Sequence, residues 1–259
     1  MKTIKKSVLA LAIASALVSG SANAYVSYFL DPDGAGGTAP VYVREWLDIM
    51  GTLYVDNTFS SPTTFTFYQQ GTAEVVGANG IGKPTLLNIG VKFYGPGNGA
   101  LAGAGGNITF TGGKIEVYSD YGLWTKQIAS FDIIGNGGSV DGNAVPNGKS
   151  TLVGKATYLD PGYWRTAVNS TTPGGALGAE STFGFSTTDL SQVEAGSQQG
   201  VLDMINVAYG TNYTAPVSAE DLILSANGQW RMSLPEPASL ALVALGLLGM
   251  GTLRRRRST

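Results

Sequence analysis

The chain has 259 residues, 37 of them glycine, with 13% charged residues and a formal net charge of −2. It holds no cysteine and no histidine, which excludes disulfides, thiolate or imidazole metal sites, a cysteine nucleophile and the Ser-His-Asp triad. Residues 25–234 carry 9 Lys/Arg against 17 Asp/Glu, a net charge of −8, so nucleic acid, whose phosphates need a basic footprint, is not an expected partner.

At the N-terminus, Lys2, Lys5 and Lys6 precede an apolar run over residues 8–18, and Ala22-Asn23-Ala24 follows it. A positive segment, a short apolar segment and a small-x-small triplet make a secretory signal peptide over residues 1–24. The expected cut lies between Ala24 and Tyr25, read by the secretion machinery and signal peptidase.

The body opens with Asp31-Pro32-Asp33-Gly34. Carboxylates at i and i+2 before a glycine are spaced as oxygen ligands are in calcium loops, so Asp31 and Asp33 are the candidate metal ligands. A plain Asp/Gly turn reads equally from the same residues, since no glutamate closes the loop. Otherwise no cofactor is expected.

Further along, Thr63 to Tyr68 (TTFTFY) alternates aromatic and hydroxyl residues, the period of a half-buried strand. Other strands are expected over residues 41–49, 52–56, 72–76, 86–93, 128–134, 152–158 and 182–186. The stretch NITFTGGKIEVY (107–118) reads as two strands around Gly112-Gly113, and DLILSANGQWRMS (221–233) as two around Asn227-Gly228. Gly112-Gly113 can supply the positive φ that a tight hairpin needs, and Asn227-Gly228 is a two-residue hairpin signal. Gly135-Asn136-Gly137-Gly138 reads as a loop without the βαβ context of a dinucleotide site. Residues 100–106 and 170–178 read as flexible loops. Val201, Met204, Ile205 and Ala208 fall at helical spacing, which predicts one short helix over residues 200–209. Many short strands separated by Gly/Asn/Asp/Pro turns predict an all-β body over residues 25–233, a β-sandwich or jelly-roll with one short helix. Its expected core is Trp46, Phe65, Phe67, Phe93, Phe110, Trp124, Phe131 and Trp164.

Within that body the remaining acid/base chemistry is a carboxylate pair, with Glu116, Asp132 and Glu180 as candidates; a glycosidase would need two facing each other about 5–10 Å apart. Aromatic platforms for stacking on sugar rings are Tyr118, Tyr121 and Trp124, or Tyr158, Tyr163 and Trp164. The same residues serve equally as core packing. The sequons at Asn107, Asn169 and Asn212 read as chance matches.

Leu234-Pro235-Glu236-Pro237 is followed by sixteen uncharged residues (238–253) and then by Arg254, Arg255, Arg256 and Arg257. The apolar run covers about 24 Å as a helix, near the ~30 Å of a hydrocarbon core, so a single transmembrane helix is expected. The arginines fix its end in the cytoplasm. Prolines on both sides of Glu236 hold that residue extended.

Pro235-Glu236-Pro237, the short apolar helix and the arginine cluster resemble the PEP-CTERM sorting signal, a segment also labelled an ice-binding-protein C-terminal domain. The resemblance covers residues 234–259 and implies a Gram-negative bacterium that makes exopolysaccharide. It also implies a partner exosortase that cleaves at or near the motif, and an inner-membrane intermediate before delivery to the cell surface or extracellular matrix. The opening Asp31 to Gly37 and the block from Ile128 to Trp164 are similar to flocculation-associated PEP-CTERM proteins. That similarity implies a non-catalytic role in flocculation and biofilm structure through polysaccharide or cell-surface binding. The alternative is an exported carbohydrate-active hydrolase using a carboxylate pair.

Insertion depends on the apolar run and its arginines, whereas the Pro-Glu-Pro segment lies outside that run. Replacing Pro235, Glu236 and Pro237 together by alanine is expected to leave full-length protein in the inner membrane with its body outside. Fractionation with immunoblotting checks this; processing and release like the parent would make the tail an ordinary anchor.

Overall fold

The computed structural model describes residues 24–25, 27–34, 40–82, 88–103, 105–120, 122–135, 137–141, 148–160, 162–165 and 182–234. By its contacts the chain divides into Tyr25–Ser233 and a second unit of Met1–Ala24 with Leu234–Thr259; all but Ala24 and Leu234 of that second unit lies outside the described residues. The strands are β1 (Ala24–Tyr25), β2 (Tyr28–Leu30), β3 (Val41–Val43), β4 (Leu47–Ser61), β5 (Thr64–Ala78), β6 (Ile81–Gly82), β7 (Gly90–Ala102) and β8 (Gly105–Phe110). They continue with β9 (Lys114–Tyr118), β10 (Gln127–Gly135), β11 (Gly137–Asp141), β12 (Gly148–Leu159), β13 (Trp164–Arg165), β14 (Thr182–Gln192) and β15 (Leu222–Leu234). One helix, α1 (Gln198–Tyr209), lies between β14 and β15.

The long strands close on themselves. β4 pairs with β5 and β5 with β7. β7 pairs with β9 along its first half and with β8 along its second, so β8 and β9 form one row. β10 and β11 form the next row, pairing with β9 and β8 on one side and with β12 on the other. β12 then pairs with β14, β14 with β15, and β15 returns to β4. All these pairings are antiparallel and follow chain order, which makes an up-and-down barrel of eight rows. The expected β-sandwich or jelly-roll is thereby corrected: the all-β class and the short helix hold, but the sheet is a closed meander without a Greek key.

One row of partners shows the geometry of closure. It runs from Tyr54 through Gln70, Tyr94, Lys114, Asp132, Lys155 and Thr182 to Ser233. Tyr54 itself pairs with Ile223 in that last strand, so the circuit closes about ten residues out of step. A stagger of this kind tilts the strands of a barrel by about 40° from its axis.

Alternation decides what fills the barrel. Leu53, Gly71, Phe93, Ile115, Phe131 and Ala156 are successive partners in one row and all are buried. The next positions along the same strands carry Tyr54, Gln70, Thr72, Lys92, Lys114 and Asp132 on the outside. An apolar interior with a polar exterior is the reverse of a transmembrane barrel. Three cross-strand pairs join β5 to β7 inside: Phe65 with Gly99, Phe67 with Gly97, and Gly71 with Phe93. A Cβ on any of those glycines would overlap the facing ring.

Two expected hairpins do not turn. β8 and β9 lie along the same partner strand, and the break at 111–113 is a bulge with Gly113 at φ 126°. β15 runs straight through Asn227-Gly228, because its residues find β14 on one side and β4 on the other. Gly137 and Gly138, expected in a loop, pair with β8 and β12. Much of the expected 100–106 loop likewise belongs to the paired ends of β7 and β8. The Asn-Gly that does turn is Asn79-Gly80, with φ of 56° and 73°, joining β5 to β6; positive φ at both positions is the hairpin requirement.

The small sheet β13-β2-β3 packs on the barrel core. Tyr28, Leu30, Val43 and Trp164 are buried. The Trp164 ring lies 5.6 Å from that of Tyr28 and 6.4 Å from that of Trp230, and its indole N–H donates to Ile128 O at 2.9 Å.

Helix α1 sits on the outer face. It ends at Gly210 in the left-handed conformation, whose N–H bonds Asn206 O, a C-cap that suits glycine. Val201, Leu202 and Ile205 pack against Tyr54 and Ile223. The Tyr209 hydroxyl reaches Gly71 O at 2.6 Å, Tyr213 donates to Gln70 Oε1 at 2.9 Å, and Lys92 Nζ donates to Ala208 O at 2.6 Å. The predicted span 200–209 is thus extended by two residues. Of the expected core, Phe67, Phe93, Phe110, Phe131 and Trp164 are buried, while Trp46, Phe65 and Trp124 are half-buried. Among the described residues no helix is long and apolar enough to cross a membrane; the expected transmembrane run, 238–253, lies outside them.

The Gly71 position yields a direct test. Gly71→Ala forces its methyl into the Phe93 ring and is expected to cost about 1–3 kcal/mol. Gly112→Ala, with open space around its Cβ, should stay within about 0.5 kcal/mol of the parent. Equilibrium denaturation measures both, and equal effects would remove the packing account.

Buried phenols yield a second test. Burial raises the pKa of Tyr28, Tyr54 and Tyr209, and burial with the nearby Glu116 pushes Tyr118 up to about 12. Below pH ~10 these phenols are neutral in both states. Above it the unfolded chain ionises first and holds fewer protons, so stability should fall as pH rises from about 10 to 12. Denaturation midpoints and phenolate absorbance across that range check it; Tyr118→Phe should lessen the slope, and a flat profile would contradict it.

Candidate functional site

Where the helix ends, the outer face of β4, β5, β7, β9 and β10 carries a strip of phenols, amides and carboxylates. Its rows follow from register. Tyr54, Gln70, Tyr94, Lys114 and Asp132 are successive partners, and Asp56 lies beside Tyr68 in the neighbouring row. Tyr68 is 42% exposed, and Tyr94 is half-buried. The Tyr213 ring lies 4.5 Å from that of Tyr54.

Hydrogen bonds fix this strip. Tyr54 donates to Asp221 Oδ2 at 2.8 Å, and Asn57 N–H donates to Asp221 Oδ1 at 3.1 Å. Burial, then the neighbouring Asp221, raise the pKa of Asp56. Tyr118 donates to Glu116 Oε2 at 3.1 Å, and Lys114 Nζ lies 3.0 Å from Asp132 Oδ1. Burial followed by Glu116 raises the pKa of Tyr94. Such a surface offers aromatic faces for stacking, with acceptors and donors spaced along the strands for hydroxyl groups.

Lys92 occupies a cage beside the strip. Its ammonium lies 4.9 Å from the Tyr118 ring centre and 4.8 Å from that of Trp124. Desolvation lowers its pKa and Glu116 opposes that. Tyr118 and Trp124, expected as a sugar platform, therefore meet edge to face at 5.5 Å around a cation of the same chain. Tyr121 lies outside the described residues. In the second expected platform Tyr163 and Trp164 are buried core residues, and Tyr158 alone of the three is exposed, so those three make no common face.

Two of the candidate acids come together, since register makes Glu116 and Asp132 diagonal neighbours. Glu116 and Asp132 stand on the same outer face of adjoining strands, each with the partner already named. Glu180 lies outside the described residues. Asp31 is buried, and its Oδ1 accepts the N–H groups of Asp33 and Gly34 at 3.2 and 3.1 Å, while Oδ2 faces the Arg165 guanidinium. Burial raises its pKa and Arg165 opposes the shift. Among the described residues no group of three or more acidic side chains gathers as a metal site. Ala24 and Tyr25 form β1, whereas Ala22, Pro235, Glu236, Pro237 and Arg254–Arg257 lie outside the described residues.

Sequence reasoning missed Tyr68, Tyr94, Gln70, Asp56 and Asp221. The alternation in TTFTFYQQ held a signal for two of them, because inward phenylalanines put Tyr68 and Gln70 outward. Nothing local joins Tyr54 to Asp221, which stand 167 residues apart.

Neither a curated protein nor a solved structure matched this chain. A family model described as the PEP-CTERM protein-sorting motif matched residues 233–257. The tail resemblance is therefore shown, and the motif marks an exported protein with exosortase as its sorting partner. What is shown is the tail: residues 233–257 match the PEP-CTERM protein-sorting motif.

Proposed function

We propose that this protein is a non-catalytic surface or matrix component that promotes flocculation and biofilm structure by binding exopolysaccharide. The outer-face strip around Tyr68 and Tyr94 supports that reading, since phenol faces, amides and carboxylates suit a neutral polyol. Export begins at the signal peptide, passes through an inner-membrane intermediate held by residues 238–253, and ends with exosortase cleavage near Pro235-Glu236-Pro237.

One observation favours the hydrolase alternative enough to keep it. Asp56 and Asp221 lie close on the outer face: Asp221 accepts two hydrogen bonds, and burial followed by the nearby Asp221 shifts Asp56 towards its neutral form. A carboxyl group shifted towards its neutral form beside a second carboxylate is a pattern of acid/base sites.

Cells lacking the protein, complemented with variants, separate these readings. Tyr68→Ala with Tyr94→Ala is expected to reach the surface at the parent level yet lose most cell aggregation and most retention on purified exopolysaccharide. Asp56→Asn should keep both. Aggregation undiminished in the double variant would remove the binding role. Release of reducing sugar by the parent but not by Asp56→Asn would establish the hydrolase instead.

A further inference from the structure

Helix α1 ends beside the tyrosine strip, and one of its side chains builds the turn that follows. Asn206 is half-buried in the last turn of α1. Its backbone oxygen accepts the Gly210 N–H at 2.8 Å, which closes the helix. Its amide reaches into the chain beyond. Oδ1 accepts the Tyr213 N–H at 2.7 Å and the Thr211 hydroxyl at 2.9 Å, while Nδ2 donates to Tyr213 O at 2.9 Å. Both lone pairs of the amide oxygen are thereby used.

That turn has no ladder to hold it. Residues 211–214 belong to neither a strand nor the helix, so their backbone groups need partners of another kind. Asn206 takes both polar groups of the Tyr213 backbone. Gln199, seven residues earlier and on the same helix face, accepts the Ala215 N–H at 2.9 Å. Two amides on one face thus lay the segment along α1.

Tyr213 then reaches the strip. Its ring lies 4.5 Å from that of Tyr54, and its hydroxyl donates to Gln70 Oε1 at 2.9 Å. Gln70 stands two residues from Tyr68 on the same face of β5 and pairs with Tyr94. Burial, then Asp56, Tyr68 and Asp221, raise the Tyr213 pKa, which puts its phenol among the groups of the strip. The barrel itself makes little use of Asn206. The apolar contacts of α1 are made by Val201, Leu202 and Ile205, and Tyr209 and Lys92 fasten its end to β5 and β7.

We propose that Asn206 is a positioning residue of the saccharide site: it holds Tyr213 as the aromatic wall beside Tyr68, so that a sugar residue seated on Tyr68 also meets the Tyr213 phenol. This rests on the polysaccharide reading and adds to it a wall supplied by the turn after α1. The strands supply the floor and Asn206 sets the wall, without touching the ligand itself.

The test uses the exported protein purified from the cell surface, with exopolysaccharide purified from the same cells as probe. Asn206→Ala and, separately, Asn206→Gln are expected to weaken retention about fivefold, the effect of one polar contact. Asn206→Asp, which keeps the acceptor for Tyr213 N–H and Thr211, should stay within about twofold of the parent. Thermal denaturation checks that each variant is folded at the assay temperature. A double-mutant cycle then separates positioning from general loss of stability. Tyr213→Ala should lose as much as Asn206→Ala, and the two together no more than either alone. Additive losses, or a loss with Asn206→Asp equal to that with Asn206→Ala, would overturn the proposal and leave Asn206 a structural residue. Undiminished retention in Asn206→Ala and Asn206→Gln, with retention still lost in Tyr68→Ala with Tyr94→Ala, would overturn this inference and leave the strip intact. Retention unchanged in that tyrosine double variant would remove the polysaccharide reading itself.

Discussion

A Cβ atom has no room where the rings of Phe65, Phe67 and Phe93 lie against the facing strand, and the rest of the barrel depends on that exclusion. Each ring stands directly across from a glycine. Were β5 to slip one residue against β7, every inward side chain would turn outward, and the phenylalanines would lose both their burial and their bare wall. The three pairs therefore fix the β5–β7 register. That register in turn puts Gln70 beside Tyr94, Tyr68 beside Pro96 and Thr72 beside Lys92 on the outer face. The surface chemistry is set from the inside.

The helix obeys a related constraint. A short helix has little stability alone, and α1 lies on a sheet whose outer face is mostly polar. Its apolar side is met by Tyr54 and Ile223, and its C-terminal end by Lys92. Withdrawing an ammonium from water is costly, which is why desolvation lowers the Lys92 pKa. The carbonyl of Ala208, the negative end of the helix dipole and the faces of Tyr118 and Trp124 offset that cost. Aromatics that resemble a ligand platform in the sequence are thereby used to seat a helix.

These examples show why some parts of the molecule were legible in its sequence and others were not. The β class was legible because TTFTFY states its own alternation, and the helix because Val201, Met204, Ile205 and Ala208 state theirs. Glycine misled in both directions. Gly112-Gly113 and Asn227-Gly228 look like turns locally, but they lie in rows flanked by strands on both sides, and those partners are distant in the chain. Asn79-Gly80 has the same local chemistry and does turn, because β5 ends there. Closure itself is a relation between β4 and β15, more than 160 residues apart, and no window of sequence contains it. The sorting motif was legible in full because it is a linear address, carried by order and spacing along the chain.

That contrast bears on how the body can act. A linear address needs nothing from the barrel, so whatever the protein does after sorting must come from the surfaces the barrel presents. A chain without histidine or cysteine offers phenol, amide, carboxylate and ammonium groups there, and the carboxylates on the described outer face are largely engaged by neighbours: Asp132 by Lys114, Glu116 by Tyr118, Asp221 by Tyr54. Groups of this kind make individually weak contacts with hydroxyls. Weak contacts become effective when many copies face a repeating polymer, because each bound residue raises the effective concentration of the next. Export to a cell surface supplies such an arrangement, and an acidic body limits self-association while it does so. In the proposed role the sorting tail and the tyrosine strip are therefore parts of one mechanism: the first supplies the number of sites, the second a contact too weak to act singly.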